Sequence, residues 1–100
     1  MLVLGRGIGE TIEAIEPDGA RRVIRIASIT ADRAVNLALS CDGSAVGVEL
    51  AAGDAWCVTG CTAPLLLIKV LEVRRETVRL GIQAPRTVTL VRGELPVHEQ

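Results

Sequence analysis

The sequence predicts an all-β domain, on three observations. Its apolar residues recur with a period of two in short β-branched runs. Those runs are separated by compact turn signals built on Pro, Asp and Gly. No stretch sustains the 3.6-residue period of a long helix. One hundred residues, 49% hydrophobic and 23% charged, set the scale at a single compact β domain spanning 1–100 with one modest core.

The elements follow in order. A first strand is expected over Met1 to Arg6 and a second over Thr11 to Ile15. Pro17-Asp18-Gly19 forms a turn, because Pro presets one backbone angle and Gly accepts the strained one. Val23 to Thr30 and Val35 to Leu39 are rich in β-branched residues and read as a hairpin about Ala31-Asp32-Arg33. Val46-Gly47-Val48 follows as a third strand of this half, and Glu49 to Trp56 has room for one or two helical turns. Trp56-Cys57-Val58-Thr59 reads as a worn strand. A second hairpin joins Leu66–Val73 to Thr77–Ile82 around Arg74-Arg75-Glu76, and Val88 to Arg92 forms the last strand.

The two hairpins resemble each other. Ile24-Arg25-Ile26 aligns with Ile68-Lys69-Val70, and Val35 to Leu39 with Val78 to Ile82. Each is followed by a short loop and a third strand, Val46-Gly47-Val48 in one case and Val88-Thr89-Leu90 in the other. Internal repeats over 1–53 and 54–100 are therefore expected, with the boundary between Gly53 and Ala63.

Composition excludes several functions. One Trp and no Phe or Tyr leave no aromatic platform on which single-stranded bases could stack. A net charge of −1 rules out nucleic-acid capture by bulk electrostatics. Any anionic partner must be held by a local arrangement of basic side chains. Ala34 to Ile68 contains no Lys or Arg but carries Asp42, Glu49 and Asp54, whereas Lys69 to Gln100 is net positive. The longest strongly apolar run, Ala63 to Ile68, is too short to span a bilayer, and the opening residues do not form a signal peptide. Three cysteines without a disulfide framework fit a reducing cytoplasm. Cys57 and Cys61 with Cys41 and His98 make a loose metal set, and buried or half-buried thiols are the better reading. No nucleophile–base–orienter set is present, so an enzyme is not expected, nor a cofactor.

Two stretches carry a family resemblance. One is Met1-Leu2-Val3-Leu4-Gly5-Arg6 with Ile8-Gly9-Glu10-Thr11. The other is Val78-Arg79-Leu80-Gly81-Ile82-Gln83-Ala84-Pro85-Arg86 with Val88-Thr89-Leu90-Val91-Arg92. Together they resemble the carbon storage regulator (CsrA/RsmA) family of bacterial translational regulators, over about residues 1–15 and 66–95. The resemblance implies a small five-stranded unit, usually an intertwined homodimer. In that family the first strand of one subunit lies beside the last strand of the other and forms an RNA surface. That surface recognises GGA-containing loops in messenger RNA leaders. The chain is longer than the family by about a hairpin and a strand. Two architectures therefore compete: two CsrA-like β units fused as a pseudo-dimer, or one unit with a large β insertion that forms an intertwined homodimer. The first is expected to elute as a monomer, the second at twice the mass.

In a strand, alternate side chains share a face. Leu4 and Arg6 thus lie together with Leu2, and Arg92 with Val88 and Leu90. An Arg that closes an apolar stripe can pack its stem on the core edge and keep its head free for guanine or phosphate. The expected RNA-binding residues are Leu4, Arg6, Ala84, Pro85, Arg86, Val88, Leu90, Val91 and Arg92, with Arg92 the anchor and Arg6 its partner. The first half lacks matching pieces, with Cys41-Asp42-Gly43 and Glu49-Leu50 where basic residues would be needed, so one RNA surface is expected. Gly5, Gly7 and Gly93 depart from the family pattern and remove contacts. The leading expectation is a cytoplasmic repressor that occupies a GGA loop near a ribosome-binding site, with a small regulatory RNA or a protein antagonist as further partners. The alternative is a protein-interaction module of the same fold that has lost RNA binding.

Overall fold

The computed structural model describes residues 1–41, 43–58 and 66–92. Asp42, Thr59, Cys61, Ala63, Gly93 and His98, each considered above, lie outside them. Within the described residues the chain is all-β: β1 (Leu2–Gly7), β2 (Thr11–Ile15), β3 (Arg21–Ile29), β4 (Ala34–Cys41), β5 (Ser44–Ala51), β6 (Ala55–Val58), β7 (Leu66–Val73), β8 (Thr77–Gln83) and β9 (Thr89–Arg92). The helical turns expected over Glu49 to Trp56 do not form. β5 and β6 occupy that stretch, joined by a turn in which Gly53 has φ of +94°. The apolar alternation of Val46, Val48 and Leu50 continues the strand past Glu49, and β-branched residues prefer it.

Turn chemistry acts where the sequence placed it. Gly19, at φ +92°, donates to Glu16 O, and the Asp18 carboxylate accepts from Ala20 N at 2.9 Å. Arg33 takes φ +65° in the β3–β4 turn, and Arg74 N donates to Thr77 O between β7 and β8.

The strands form two antiparallel sheets, of order β1-β8-β7-β6 and β5-β4-β3-β2-β9. Inward residues of both build one core, including Leu4, Ile12, Ile24, Ile26 and Leu37 with Ile68, Val70, Leu80 and Ile82. Full burial of each such side chain contributes ~1.5–3 kcal/mol. The ends of the chain cross over. β1 leaves β2 to pair with β8, and β9 leaves β8 to pair with β2. A Cβ on Gly81 would stand 2.5 Å from Met1 Sδ, so the start of the chain lies directly on the C-terminal hairpin.

The registers of the two halves coincide when the chain is displaced by about 44 residues. Ile12 faces Ile24 as Trp56 faces Ile68. Ile26 faces Leu37 as Val70 faces Leu80, and each ladder then carries a bulge, at Ala27 and at Leu71. Leu37 faces Val48 as Leu80 faces Leu4. Gly9 N donates to Ile26 O at 2.8 Å, and Gly53 N donates to Val70 O at 2.8 Å. The Glu10 carboxylate accepts from Gly7 N, and the Asp54 carboxylate from Ala51 N. The geometric correspondence therefore starts again at β5, after the Gly43 turn. Gly53 is the counterpart of Gly9, inside each half. Val46-Gly47-Val48 stands in the place of Leu2-Val3-Leu4 rather than of Val88-Thr89-Leu90. Trp56 to Val58 takes the place of the second strand, not the first.

Candidate nucleic-acid interface

β1 and β9 are edges of different sheets. They do not pair with each other, since β1 bonds to β8 and β9 to β2. The tight turn from Gly7 to Thr11 nevertheless brings their ends to one corner. β1 runs into this turn, β2 runs out of it, and β9 is antiparallel to β2 with Arg92 opposite Ile12. Both strands thus end toward the same side of the molecule.

The expected site residues separate into two groups there. Leu4 and Val88 are buried in the core, so neither side chain is presented to a partner. Arg6 shares the inward face with Leu4, as alternation requires, but its head is not free: its side chain is only 6% exposed. Its Nε donates to Gly5 O at 2.8 Å and lies 3.7 Å from Glu10 Oε1. The expectation of two guanidinium heads in one exposed patch fails for this physical reason. Burying the apolar stem of Arg6 drew the head in with it, against backbone and carboxylate acceptors.

The remaining residues are accessible. Arg92 is exposed at the end of β9, with Leu90 and Val91 half-buried before it. Ala84 is half-buried, and Pro85 and Arg86 are exposed on the β8–β9 connection. There Val88 N donates to Pro85 O at 3.0 Å and closes a turn.

Two features add to this edge. Leu2, Val3 and Ile8 are 44%, 49% and 51% exposed along β1 and its turn. A concavity of about 250 Å³ lies on the outer face of the same sheet, lined by Gly5, Glu72, Arg74, Thr77, Val78 and Arg79. Gly5 faces Arg79, and Arg79 faces Glu72. The alternation Val78-Arg79-Leu80 already pointed Arg79 outward. What the sequence hid was that β8 would lie beside a strand whose glycines leave space above it.

The corresponding surface of the other sheet is equipped differently. Glu49 stands at the place of Gly5, buried Leu50 at that of Arg6, and Asn36 at that of Arg79. Asn36 donates to Ser28 Oγ at 2.9 Å, where the first surface has Arg79 and Glu72. The second surface therefore lacks the basic groups of the first.

The cysteines depart from expectation. Cys41 is disulfide-bonded, whereas free thiols were expected. Cys57 carries a free, exposed thiol rather than a buried one. Among the described residues no group of three or more His, Cys, Asp or Glu could hold a metal ion. No helix among them is long and apolar enough to cross a membrane.

The fold is thus a pair of antiparallel sheets in which β1 and β9 each cross to the sheet of the opposite half. Residues 65–100 match the family model of CsrA, the global regulator protein family. The chain is CsrA-like through that segment, which contains β7, β8, β9 and the basic connection between the last two. No curated protein and no solved structure matches it.

Proposed function

We propose that this protein is an RNA-binding post-transcriptional regulator. It recognises GGA-containing loops in messenger RNA leaders in the cytoplasm and blocks translation initiation by covering the ribosome-binding site. The observation that carries the reading is the exposure of Arg86 and Arg92 within the CsrA-matched segment, on the connection that follows β8 and at the end of β9. Arg92 is the anchor, through paired hydrogen bonds from its guanidinium to guanine or phosphate. Backbone groups of β1, β9 and the Ala84–Arg86 loop supply the remaining polar contacts, which is how a ring-poor, nearly neutral chain reads a base. Buried Arg6 acts as a positioning residue that fixes the Gly5–Glu10 turn.

The same reading treats the molecule as a fused pair of CsrA-like units folded as a pseudo-dimer. The coincident registers of the two halves support it, and so does the exchange of β1 and β9 between them. Only one of the two surfaces is basic, so one molecule holds one loop.

Titration of a GGA hairpin against the same hairpin with a mutated loop tests the proposal. Arg92→Ala is expected to weaken specific binding by ~1–3 kcal/mol, about 5- to 150-fold. Arg25→Ala, on the outer face of the other sheet, is expected to leave it unchanged. Equal affinity for both hairpins, or no effect of Arg92→Ala, would overturn the assignment in favour of a protein-interaction module.

A further inference from the structure

We propose that the concavity above Gly5 is a phosphate-binding site, with the Arg79 guanidinium as its principal ligand. The argument starts from what surrounds Arg79. Its cross-strand neighbours are Gly5 on β1 and Glu72 on β7. Gly5 brings no side chain. Glu72 is engaged elsewhere, since Arg74 Nε donates to its Oε2 at 2.9 Å. Arg79 is exposed and makes no hydrogen bond or ion pair among the described residues. The space beside it, about 250 Å³, has room for a phosphate group, and its wall carries two guanidinium groups against one carboxylate. The guanidinium fork of Arg79 matches two phosphate oxygens. Thr77 adds a hydroxyl donor on the same wall. Arg74 reaches Glu72 through Nε, which leaves its terminal N–H groups for the same anion.

The other half shows the corresponding place without a site. Asn36 stands there for Arg79, Ser28 for Glu72 and Glu49 for Gly5. Asn36 donates to Ser28 Oγ at 2.9 Å, and Glu49 lies directly opposite it on β5. A carboxylate beside a satisfied amide repels an anion. In the sheet of β1 and β8 the charge is reversed and the covering side chain is absent. The backbone does not require that absence. Gly5 has no positive φ, and a Cβ there would meet only Val78 O, at 4.0 Å. What the glycine provides is room for a ligand to come down onto β8.

A phosphate can come from two sources, a phosphodiester of bound RNA or free phosphate. The RNA source deepens the functional reading above and rests on it; the site itself rests on the side chains. Gly7 faces Thr77 where β1 enters the turn toward β2, and Ile12 beyond that turn faces Arg92. The concavity therefore lies at the end of β1 that leads to the corner of Arg92. A contact to the RNA backbone there carries no base information, so it adds affinity without adding preference for GGA.

Nitrogen-15 NMR of the full chain, titrated with inorganic phosphate, reads the site. The Arg79 Nε–H and Gly5 N–H signals are expected to shift in the parent, and the Gly5 signal to stay fixed in Arg79→Gln. Gly5→Val fills the concavity without strain and should lose the Arg79 shift while its strand circular dichroism is unchanged. Hairpin titration separates the sources. For RNA, Arg79→Gln weakens the GGA hairpin and the mutated-loop hairpin by the same factor, roughly three- to tenfold, and lowers the salt slope by about one. The charge-matched Arg25→Gln, on the outer face of the other sheet, leaves both affinities unchanged. A phosphate shift at Arg79 with hairpin binding unaffected by Arg79→Gln assigns the site to free phosphate. A parent chain that binds neither hairpin yet shows that shift keeps the site and removes the RNA reading. No phosphate shift, together with hairpin affinities and salt slope unmoved by Arg79→Gln, overturns the proposal. So does an equal shift at exposed Arg25, a shift that persists in Gly5→Val, or a loss in Arg79→Gln confined to the GGA hairpin.

Discussion

The two halves of the molecule, β1 to β4 and β5 to β8, share a backbone and differ in what they place on it. The hydrogen bonds of the Gly9 and Gly53 turns, the positive φ of those two glycines and the bulges recur at corresponding positions. The side chains at those positions diverge where they meet solvent or a corner: Arg6 against Leu50, Gly5 against Glu49, Arg79 against Asn36. The comparison teaches that strand register is set by the inward stripe, which both halves keep. Outward and corner positions are free to specialise, and of the two corresponding surfaces only the one built by β1 and β8 carries arginine at these places.

The divergence is costliest in the interior. Arg22 is 2% exposed and bonds Glu16 at 2.8 Å, while its Nε has no partner; Leu66 fills the corresponding place in the other half. A buried ion pair with an unsatisfied donor gives up most of its attraction to desolvation. Breaking the pair should nevertheless be severe, because the partner stays behind charged and dry. Glu16→Ala is expected to destabilise the protein by ~3–5 kcal/mol in urea unfolding. Arg22→Leu combined with Glu16→Ala, which sets at position 22 the leucine found at Leu66, is expected to lie within ~1 kcal/mol of the parent. A large loss in the double variant would show that the halves pack differently at this point despite their common register.

A smaller effect tests the shared backbone. Gly9 and Gly53 have φ of +87° and +94°, and a methyl group at either position would meet nothing within 4 Å, so only backbone strain opposes a side chain there. Gly9→Ala and Gly53→Ala are each expected to cost ~1–2 kcal/mol, equally within error. Unequal costs in thermal or urea unfolding would break the equivalence of the two turns. The smallest effect concerns the specialised surface. Asn36→Ala removes the bond to Ser28 and is expected to cost ~0.5 kcal/mol in stability and nothing in RNA affinity.

Much of the fold was legible because alternation and turn chemistry are local. Val23 to Thr30, Leu66 to Val73 and the Pro17-Asp18-Gly19 turn all stand close to where the sequence put them. The repeat was visible in its hairpins, whose matching residues are buried and strongly apolar. Its starting point was not, because Val46-Gly47-Val48 is only weakly similar to Leu2-Val3-Leu4 and pairing with β4 alone shows that the two stand at corresponding places. The candidate site was legible in part. Arg86 and Arg92 are exposed, but whether an Arg at the end of an apolar stripe holds its head in or out depends on acceptors that other strands supply. Arg6 found Gly5 O and the Glu10 carboxylate nearby.

The amino-acid order alone determined the all-β class, the inward stripe of each long strand and the turns between them, since each depends on residues a few positions apart. The tertiary structure decided which strand lies beside which. It sent β1 and β9 to opposite halves, left β6 at an edge and buried Arg6. Those outcomes depend on contacts between residues distant in the chain, and local pattern carries no energy term for them.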